Sequence, residues 1–475
     1  MRVQLLSPEQ IDRIHAASLA ILGRTGVHVP HPEVLSRFAD AGATVDHAAQ
    51  RVRIPPDLVM RSLETAGKAF TLYGRDPSRR AAFGQGRRNY NSIAGEALWV
   101  DAPGGERRYT TLADAATAAR VGDALEALTM VGAMSDPHEL PPSWRCVRVM
   151  ATLLENTTKP IHFWYHDRAS ARFCNAIMVA VRGDRERAAR YPLCYPFLEP
   201  ISPLRFAFNG IDLLFATAEL DLPVPIGPMA QMGLSAPATV AGTLAQENAE
   251  ILAGVCITQL IRPGMPVCYG GIPHAFDMRT TQLIFSGPEQ ALFGVAMTEI
   301  GKRYGLPVYI NVGLTDAKRP DAQAGMEAAA TLLLGAAAGA DIFGHLGISG
   351  VDQASSLEML AMQHEVVRYV ESVLREVDVS DETLGLDEID AAGPGGSFID
   401  REHTVRHFRR ELWFPRLLDR EYYDAWREAG ATSMEERCRA QVREILRTHH
   451  PEPLPDALRR EINQIVTAAE RELGS

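Results

Sequence analysis

Short apolar runs of strand length recur along most of the chain at a regular spacing. Stretches with helical periodicity separate them, and successive runs start roughly 30 to 40 residues apart, the length of one strand plus one crossover helix. The runs are TMVGAM from Thr129, PIHFWYH from Pro160, YPLCYPFLE from Tyr191, VPIGPMAQMG from Val224, MPVCYGG from Met265, LPVYINVGL from Leu306 and ADIFGHLG from Ala340. This regularity predicts parallel strands in repeated βα units.

Seven runs are clear, and the eighth strand has two candidates. One is RNYNSIAG near Asn89, and the other is LGLDEIDAAG near Leu384. Eight units over about 300 residues predict an α/β protein with a (β/α)8 TIM barrel, and an open doubly wound sheet is the alternative. GHLGISG, from Gly344, reads GxxGxxG rather than GxGxxG, so it gives little support to a dinucleotide site.

Two segments fall outside the repeat. Residues 1–85 begin with a helix-capping signal, Ser7 followed by Gln10, and alternate helices with a short polar strand, which predicts an N-terminal α/β cap. Residues 396–475 are rich in charged and aromatic residues and predict a helical extension that packs on the barrel or on another subunit. We expect the catalytic barrel to occupy residues 86–395.

Composition and charge exclude several classes of protein. The 475 residues are 46% hydrophobic and 23% charged, an ordinary globular balance, and the net charge of -11 disfavours nucleic acid as a partner. The amino terminus lacks a leader pattern and no run approaches the ~20 apolar residues of a membrane span, so we expect a cytoplasmic protein. Six scattered cysteines without a CxxC pair predict free thiols and no tightly bound metal.

Polar residues that follow the predicted strands are the candidate catalytic groups, because βα loops converge at the carboxyl end of a barrel. They are His345, Glu199 and Asp316. His345 is flanked by glycines, which leaves room for a ligand beside its ring. Glu199 suits a barrel-rim ion pair equally well, so its role stays open.

Aromatic residues crowd the same strand ends. Their faces attract cations, and quaternary ammonium groups suit such a cage because they cannot donate a hydrogen bond. An ordinary core also produces aromatic residues on one face of a strand, so this alternative stays open. The candidate substrate-binding residues are Tyr90, Phe163, Trp164, Tyr195, Phe197, Gln231, Tyr269, Gly270, Phe343 and Gly347.

Several long stretches resemble the trimethylamine methyltransferase (MttB) superfamily, and with the opening LSPEQIDRIHAASLAILGRTGVHV they cover nearly the whole chain. Members are TIM barrels that move a methyl group from a methylated amine to the cobalt of a corrinoid held by a separate small protein. The resemblance implies a methyltransferase with a corrinoid-binding protein as partner, and a homo-oligomer is expected. The stretches are GLTDAKRPDAQAGMEAAATLLLGAAAGADI, GPMAQMGLSAPATVAGTLAQENAEILAGV and GPGGSFIDREHTVRHFRRELWFPRLLDREYYDAWREAG.

The archetype of that superfamily carries pyrrolysine in its barrel, whereas this sequence has only standard residues. It therefore resembles the non-pyrrolysine branch, which includes glycine betaine methyltransferases, and this implies a quaternary amine with a carboxylate as substrate. His345, Tyr90 and amides near Gly270 and Gly347 are then candidates for holding the carboxylate. The alternative function is a betaine-binding or regulatory barrel, or a lyase that acts on a small acid through Glu199 and His345.

Overall fold

The computed structural model describes residues 1–101 and 104–474. The helices are α1 (Pro8–Arg24), α2 (Pro32–Asp40), α3 (Pro56–Thr65), α4 (Leu112–Ala124), α5 (Pro142–Asn156), α6 (Arg168–Arg182), α7 (Arg185–Arg190), α8 (Phe208–Thr217), α9 (Val240–Ile261), α10 (Pro288–Arg303), α11 (Ala322–Ala338), α12 (Leu357–Val373), α13 (Asp381–Leu384), α14 (Leu386–Ala392), α15 (Glu402–Glu411), α16 (Tyr423–Glu428), α17 (Met434–Thr448) and α18 (Asp456–Leu473). In the described residues, no helix combines the length and the apolar character that a membrane span requires.

Strands are short and concentrate in the first three quarters of the chain. They are β1 (Val27–His28), β2 (Thr44–Asp46), β3 (Arg51–Arg53), β4 (Phe70–Tyr73), β5 (Arg80–Phe83), β6 (Asn89–Ser92), β7 (Leu98–Asp101), β8 (Glu106–Tyr109), β9 (Val131–Gly132), β10 (Ile161–His162), β11 (Val224–Ile226), β12 (Gln231–Met232), β13 (Val267–Gly271), β14 (His274–Asp277), β15 (Gln282–Ile284), β16 (Val308–Ile310), β17 (Ile342–Leu346), β18 (Ile348–Ser349) and β19 (Ala354–Ser355).

A parallel sheet with strand order β11–β13–β16–β17–β6 forms the centre of the molecule. Its register pairs Tyr269 with Val308 and Tyr309 with Ile342. These strands are apolar and buried on both faces, because helices such as α9 and α10 pack on one face and interior side chains such as Tyr195 and Tyr309 fill the other. The prediction of parallel βα units is confirmed, in the form of a curled half-barrel.

Parallel pairing continues beyond both edges of this sheet in shorter pieces. β9 pairs with β10. Asn91 of β6 forms a parallel bridge with Met130, and Leu198 forms one with Ile226 of β11. The Ile161 amide of β10 donates to the Leu193 carbonyl at 3.0 Å.

The structure distinguishes the two candidates for the eighth strand. Asn89–Ser92 forms β6 beside β17, whereas the segment near Leu384 is helical, so that second candidate is wrong. The predicted strand YPLCYPFLE is also wrong as a regular strand: it contributes a bridge at Leu198 and the Leu193 carbonyl that accepts from Ile161. Pro192 and Pro196 interrupt it because proline has no amide hydrogen for a ladder.

The N-terminal segment packs against the helical layer and the amino end of the sheet. Ser7 and Gln10 form the predicted capping box of α1, and both α1 and α3 pack on α9. The antiparallel hairpin β4–β5 buries Phe70 and Phe83 in a cluster with Tyr195 and with residues at the beginnings of the parallel strands. The hairpin therefore fills the amino end of the curled sheet.

The C-terminal residues form two different structures. α17 packs on α4 and α12, and α18 packs on α5 and α6. In contrast, α13–α16 lie in residues 376–430, here named the arm, and contribute no buried residue. More than half of the exposed large apolar side chains of the described residues lie in the arm, between Val377 and Tyr423.

Candidate active site

A cavity of about 660 Å³ lies at the carboxyl edge of the parallel strands, within the usual size of a small-molecule site. Trp164 follows β10, Glu199 follows the bridge at Leu198, and Gln231 follows β11; all three line the cavity, together with Phe197. The carboxyl ends of parallel strands meet at one edge, so residues distant in sequence converge here. No Lys or Arg lines this cavity in the described part of the chain.

Two aromatic rings provide apolar walls that are fixed in orientation. The Trp164 indole N–H donates to the Gly95 carbonyl at 2.8 Å. The Trp164 and Phe197 rings meet edge to face, with centroids 6.1 Å apart. Such rings favour a bound cation, but two rings form only part of a cage.

His345 lies against these rings because the backbone of β17 is irregular. The register of β17 with β6 shifts between Phe343 and Leu346, and His345 has a φ of 72°, in the left-handed region that few non-glycine residues adopt. Its ring centroid lies 6.3 Å from Trp164 and 5.8 Å from Tyr309. Burial, together with nearby His162 and His274, lowers the pKa of His345 well below its usual value, so the ring is neutral.

Four neutral polar side chains lie together beneath the cavity: His162, Tyr195, Tyr309 and His345, here named the donor cluster. All are buried, and both hydroxyls and both His345 nitrogens lack a hydrogen-bond partner among the described residues. Asn91 donates from Nδ2 to His162 Nδ1 at 2.9 Å, which leaves an unpartnered N–H at His162 Nε2. Buried polar groups are normally paired, so the donor cluster is ready to bind polar atoms of a ligand.

Glycine at position 344 makes room for this arrangement. A Cβ on Gly344 would collide with the hydroxyl of Tyr309. Tyr309 in turn packs edge to face on Phe197, with centroids 5.6 Å apart. The donor cluster and the aromatic walls are therefore one continuous site.

Three carboxyl groups at the strand ends, Glu96, Glu199 and Asp352, form a second feature, here named the carboxyl cluster. Burial raises the pKa of Glu96 to about 9, with contributions from Asp352 and Asp136. Burial and Asp352 raise the pKa of Glu199 to about 7, and burial raises that of Asp352 to about 6. Glu199 has open surface, but that surface faces the cavity, which explains why burial still governs its charge.

A fourth carboxyl beside this cluster behaves differently because it has cationic partners. Asp136 accepts from Arg145 at 2.5 Å and lies 3.7 Å from His166 Nε2. Burial works against the charge of His166, but the contact with Asp136 prevails and the pKa of His166 rises to about 9. His166 also bonds the Pro142 carbonyl, so both of its nitrogens are already engaged.

The predicted site residues divide between the cavity and other places. Trp164, Phe197, Glu199 and Gln231 line the cavity, and Tyr195 and His345 lie directly beneath it. Asp316 does not line it; its carboxylate accepts from the Phe285 amide at 2.9 Å, and burial raises its pKa.

Four of the predicted aromatic residues face the helices instead of the cavity. Phe163 stacks on Tyr165 with centroids 4.8 Å apart, and Phe343 stacks on Tyr90 at 4.9 Å. The Tyr90 hydroxyl donates to Glu371, and the Tyr269 hydroxyl donates to Asn248 of α9 at 2.9 Å. Their placement gives no support to a role in binding substrate, because alternate residues of a strand face opposite sides.

The two predicted glycines have limited room for a ligand. Gly270 packs against the Ile226 carbonyl of the neighbouring strand, where a side chain would collide. The Gly347 amide already donates to Gln363 at 2.6 Å. Neither placement supports an amide that is free for a carboxylate.

The sequence did not predict Tyr309, His162, Glu96 or Asp352 as site residues. A signal for Tyr309 was present, because Tyr309 and Asn311 alternate as the polar residues of an otherwise apolar run. Glu96 and Asp352 lie outside the apolar runs, so the pattern that located the strands did not include them.

The sequence profile of the trimethylamine methyltransferase (MTTB) family matches residues 1–474. The chain belongs to this family. It is 29% identical to the trimethylamine methyltransferase MttB of Desulfitobacterium hafniense strain DSM 10664 / DCB-2, over 98% of this chain and 94% of that protein. It is 28% identical to the glycine betaine methyltransferase of strain Y51, over 100% of this chain and 98% of that protein.

Among solved structures, the monomethylamine methyltransferase MtmB of Methanosarcina barkeri aligns with a TM-score of 0.49 and 10% identity, over 98% of this chain and 92% of that chain. The two relatives compared above differ in the methylated amine of their names, and the chain is almost equally identical to both. Membership of the trimethylamine methyltransferase family identifies a methyltransferase and gives no support to a lyase or a regulatory barrel. The choice of amine has to come from the site.

No metal site is found among the described residues. Within residues 1–101 and 104–474, no three His, Cys, Asp or Glu side chains are grouped as ligands of a metal ion. The six cysteines are free and buried.

Proposed function

We propose that this chain is a corrinoid-dependent methyltransferase that takes a methyl group from a quaternary amine of the glycine betaine type. One observation carries the proposal: the site has opposite character at its two ends. Aromatic rings and the carboxyl cluster suit a cation near the strand ends, whereas the neutral donor cluster beneath suits a carboxylate. A betaine has these two groups a short distance apart.

A reduced corrinoid, carried by a separate protein, supplies the cobalt(I) nucleophile that accepts the methyl group. A quaternary nitrogen departs as a neutral tertiary amine, so this chain has no need of a group that activates the amine. Its residues hold the carboxylate below, align the ammonium group toward the cavity mouth and exclude water. Trimethylamine has no acid end for the donor cluster, so we expect it to be a poor substrate.

The cavity fits an amine, and its rim fits a protein that brings the acceptor. Its volume of about 660 Å³ is that of a small-molecule site. At its rim, Ile201 is 45% exposed and Leu234 is 59% exposed. Exposed apolar side chains around an opening are typical of protein contact surfaces. We assign this rim to the corrinoid-binding protein.

We also infer that the half-barrel closes into a complete (β/α)8 barrel. The support is the bridge of Asn91 with Met130, the pairing of β9 with β10, the hydrogen bond from Ile161 to Leu193, and the bridge of Leu198 with Ile226. Hydrogen exchange tests this inference: slow exchange of the Ile161 and Leu198 amides is expected, and rapid exchange of both contradicts closure.

We also propose that the chain is organised in three parts. The cap over residues 1–85, the barrel over residues 86–395 and the helical extension from residue 396 differ in how they pack. The hairpin β4–β5 supports a cap that closes the amino end. A cytoplasmic site of action completes this proposal, since the reduced acceptor requires a reducing compartment.

We propose that the arm is the contact between two copies of this chain. Its exposed apolar side chains include Ile399 at 84% and Tyr422 at 91% exposure. Fully exposed side chains of this size present on the order of 100 to 200 Å² each, so the arm approaches the ~800 Å² that each partner buries in a stable dimer. A monomer rarely leaves such a surface uncovered.

Charge in the arm favours a second copy as the occupant. Residues 376–400 contain eight acidic and no basic residues, whereas residues 401–420 contain six arginines and three acidic residues. Arg401 lies 3.7 Å from Glu388 within one arm, so the two halves already attract each other. A two-fold axis that places the acidic half of one arm on the basic half of the other satisfies both surfaces.

The test of the proposed function is a transfer assay with purified protein and chemically reduced cobalamin. Glycine betaine, carnitine, proline betaine, choline and trimethylamine are offered under one set of conditions, and the loss of cobalt(I) absorbance is followed. We expect a betaine to react fastest. If trimethylamine or choline reacts faster than every betaine, the substrate assignment is wrong; if none reacts, so is the methyl-transfer proposal.

A further inference from the structure

Another cavity, of about 540 Å³, lies at the opposite end of the strands from the candidate active site. α6 ends beside it at Arg182, and the strand-like run that follows begins at Tyr191, so the cavity borders the amino ends of the strands. It is here named the arginine pocket, because the charged residues that line it are Arg75, Arg182, Arg187, Arg190 and one carboxylate, Glu186. The whole chain has a net charge of -11, so this positive lining is a local feature.

Backbone carbonyls hold the buried Arg182 side chain in one orientation. Its Nε donates to the Tyr191 carbonyl at 2.8 Å, and its Nη2 donates to the carbonyls of Tyr73 and Gly74 at 3.0 and 2.9 Å. None of these bonds uses Nη1, although the side chain lines the pocket. Carbonyl groups therefore fix this guanidinium without neutralising it, and one nitrogen remains for a ligand.

Arg75 directly follows Gly74 in the turn between β4 and β5, and it is held in the same way. Its Nε donates to the Thr157 carbonyl at 2.8 Å, and its Nη2 donates to the Glu452 carbonyl, which again leaves Nη1. Asp123 favours the charge of Arg75, but this carboxylate already accepts hydrogen bonds from Thr157 and Thr158 and lies 2.8 Å from a nitrogen of His449. Two fixed guanidinium groups therefore meet at one side of the pocket.

Arg187 and Arg190 complete the lining from α7. Both are exposed, and the Arg190 guanidinium carbon lies 5.5 Å from the centroid of the Tyr191 ring. In the part of the chain that the structure describes, none of the four pocket arginines forms an ion pair. Arg185 of the same helix differs, because it lies 3.1 Å from the Glu219 carboxylate.

Helix ends offset only part of this positive charge. Arg182 lies in the last turn of α6, and Arg187 and Arg190 lie in the last turn of α7, where backbone carbonyls favour a cation. Four arginines and one glutamate leave an excess of three positive charges, whereas each helix end supplies only about half a negative charge. A buried charge normally has a partner, so the pocket lacks an anion.

We propose that the arginine pocket binds the diphosphate group of a small organic molecule, at a site separate from the candidate active site. Planar guanidinium groups match pairs of phosphate oxygens, and a diphosphate carries enough negative charge to balance the lining. Pro77, Val181 and Tyr191 provide apolar walls for the organic part. The volume of about 540 Å³ is within the range of small-molecule sites.

The bound diphosphate would connect three elements of the fold. Arg75 belongs to the turn of the β4–β5 hairpin, Arg182 to α6, and Arg187 and Arg190 to α7. The hairpin fills the amino end of the half-barrel, so an anion that ties it to both helices should stabilise that end. We therefore expect the ligand to raise the melting temperature of the chain.

Calorimetric titration and thermal unfolding test the proposal, with pyrophosphate, ADP and adenosine as ligands in buffer without divalent cations. We expect pyrophosphate and ADP to bind and to stabilise the chain, and adenosine to do neither. Their affinity should fall as sodium chloride is added, because the contacts are between charges. ADP binding more tightly than pyrophosphate identifies an organic diphosphate, whereas equal affinities identify free diphosphate as the ligand.

Variants on α7 then locate the site. Arg187→Gln and Arg190→Gln are each expected to weaken pyrophosphate binding by about tenfold, the usual effect of losing a hydrogen bond to a charged group. Arg185→Gln is the matched control, because it removes the same charge from the same helix outside the pocket, and it should change the affinity less than twofold. Glu186→Gln removes the carboxylate of the lining and should strengthen binding.

The outcomes do not depend on methyl transfer. The proposal is overturned if neither pyrophosphate nor ADP binds. It is also overturned if Arg185→Gln weakens binding as much as Arg187→Gln does, since the anion would then respond to surface charge in general. Weaker binding in Glu186→Gln would contradict the assigned place of the anion.

Discussion

The donor cluster and the arm are opposite departures from an ordinary globular protein. In the donor cluster, polar atoms are buried without partners; in the arm, apolar side chains are exposed without cover. Both arrangements cost free energy in the isolated chain. The comparison supports the two proposals made above, a small molecule as the partner of the interior and a second copy of the chain as the partner of the arm.

The strongest test of this comparison concerns the arm. We expect the double substitution Ile399→Asp and Tyr422→Asp to weaken self-association by about a thousandfold or more, because two charges would be placed in an apolar contact. Light scattering across a concentration series measures it. The control is Tyr109→Asp, since Tyr109 is 64% exposed but lies outside the arm. A wild-type chain that is monomeric at all concentrations contradicts the proposed interface.

For the interior, His345→Ala is expected to lower betaine affinity by about 10- to 100-fold, the usual effect of losing a hydrogen bond to a charged group. Cys256→Ala is the control, because Cys256 is equally buried but lies in α9, away from the cavity. It should lower stability and leave affinity unchanged. Calorimetric titration decides, and equal affinity for wild type and His345→Ala would move the carboxylate site elsewhere.

A pair of tyrosines separates binding from stability. Tyr309→Phe removes a hydroxyl without a partner, so we expect unchanged or slightly higher stability but about tenfold weaker betaine binding. Tyr269→Phe removes a hydroxyl that donates to Asn248, so we expect a loss of about 1 kcal/mol in stability with unchanged affinity. Denaturant unfolding and titration of both variants measure this. If both variants lose the same stability and the same affinity, the unpaired hydroxyl of Tyr309 has no special role in binding.

The smallest expected effect concerns His166 and Asp136, an ion pair that needs no ligand and no second chain. The pKa of His166 is raised to about 9 beside Asp136, so its contribution to stability is fully present below about pH 6.5 and is lost as pH rises through about 9. Asp136→Asn should therefore lower the free energy of unfolding by on the order of 1 kcal/mol at pH 6, and by less at pH 10. A difference that grows with pH would contradict the assigned protonation.

The sequence predicted the fold better than the site, for a physical reason. Buried parallel strands are apolar on both faces, so six of the seven runs marked strands directly. β6 was ambiguous because its sequence, NYNS, is polar although every residue is buried. The run at Tyr191 contains prolines that prevent a regular ladder.

The site was predicted only in part because composition does not reveal which face of a strand a residue occupies. Trp164 and Phe197 face the cavity, whereas the equally aromatic Phe163 and Tyr269 face helices. The flanking glycines made His345 a candidate, but the irregular backbone at this residue has no sequence pattern of its own. The carboxyl cluster depends on three loops that only the fold brings together.

The hairpin β4–β5 has a consequence for the order of events during a catalytic cycle. Phe83 and its neighbours fill the amino end of the half-barrel, so in the proposed mechanism the amine and the methyl acceptor would share the entrance at the carboxyl end. A protein docked on the rim at Ile201 and Leu234 would then prevent the amine from entering or leaving. The kinetic mechanism should therefore be ordered, with the amine bound first, the corrinoid protein second, and the demethylated amine released only after that protein has dissociated.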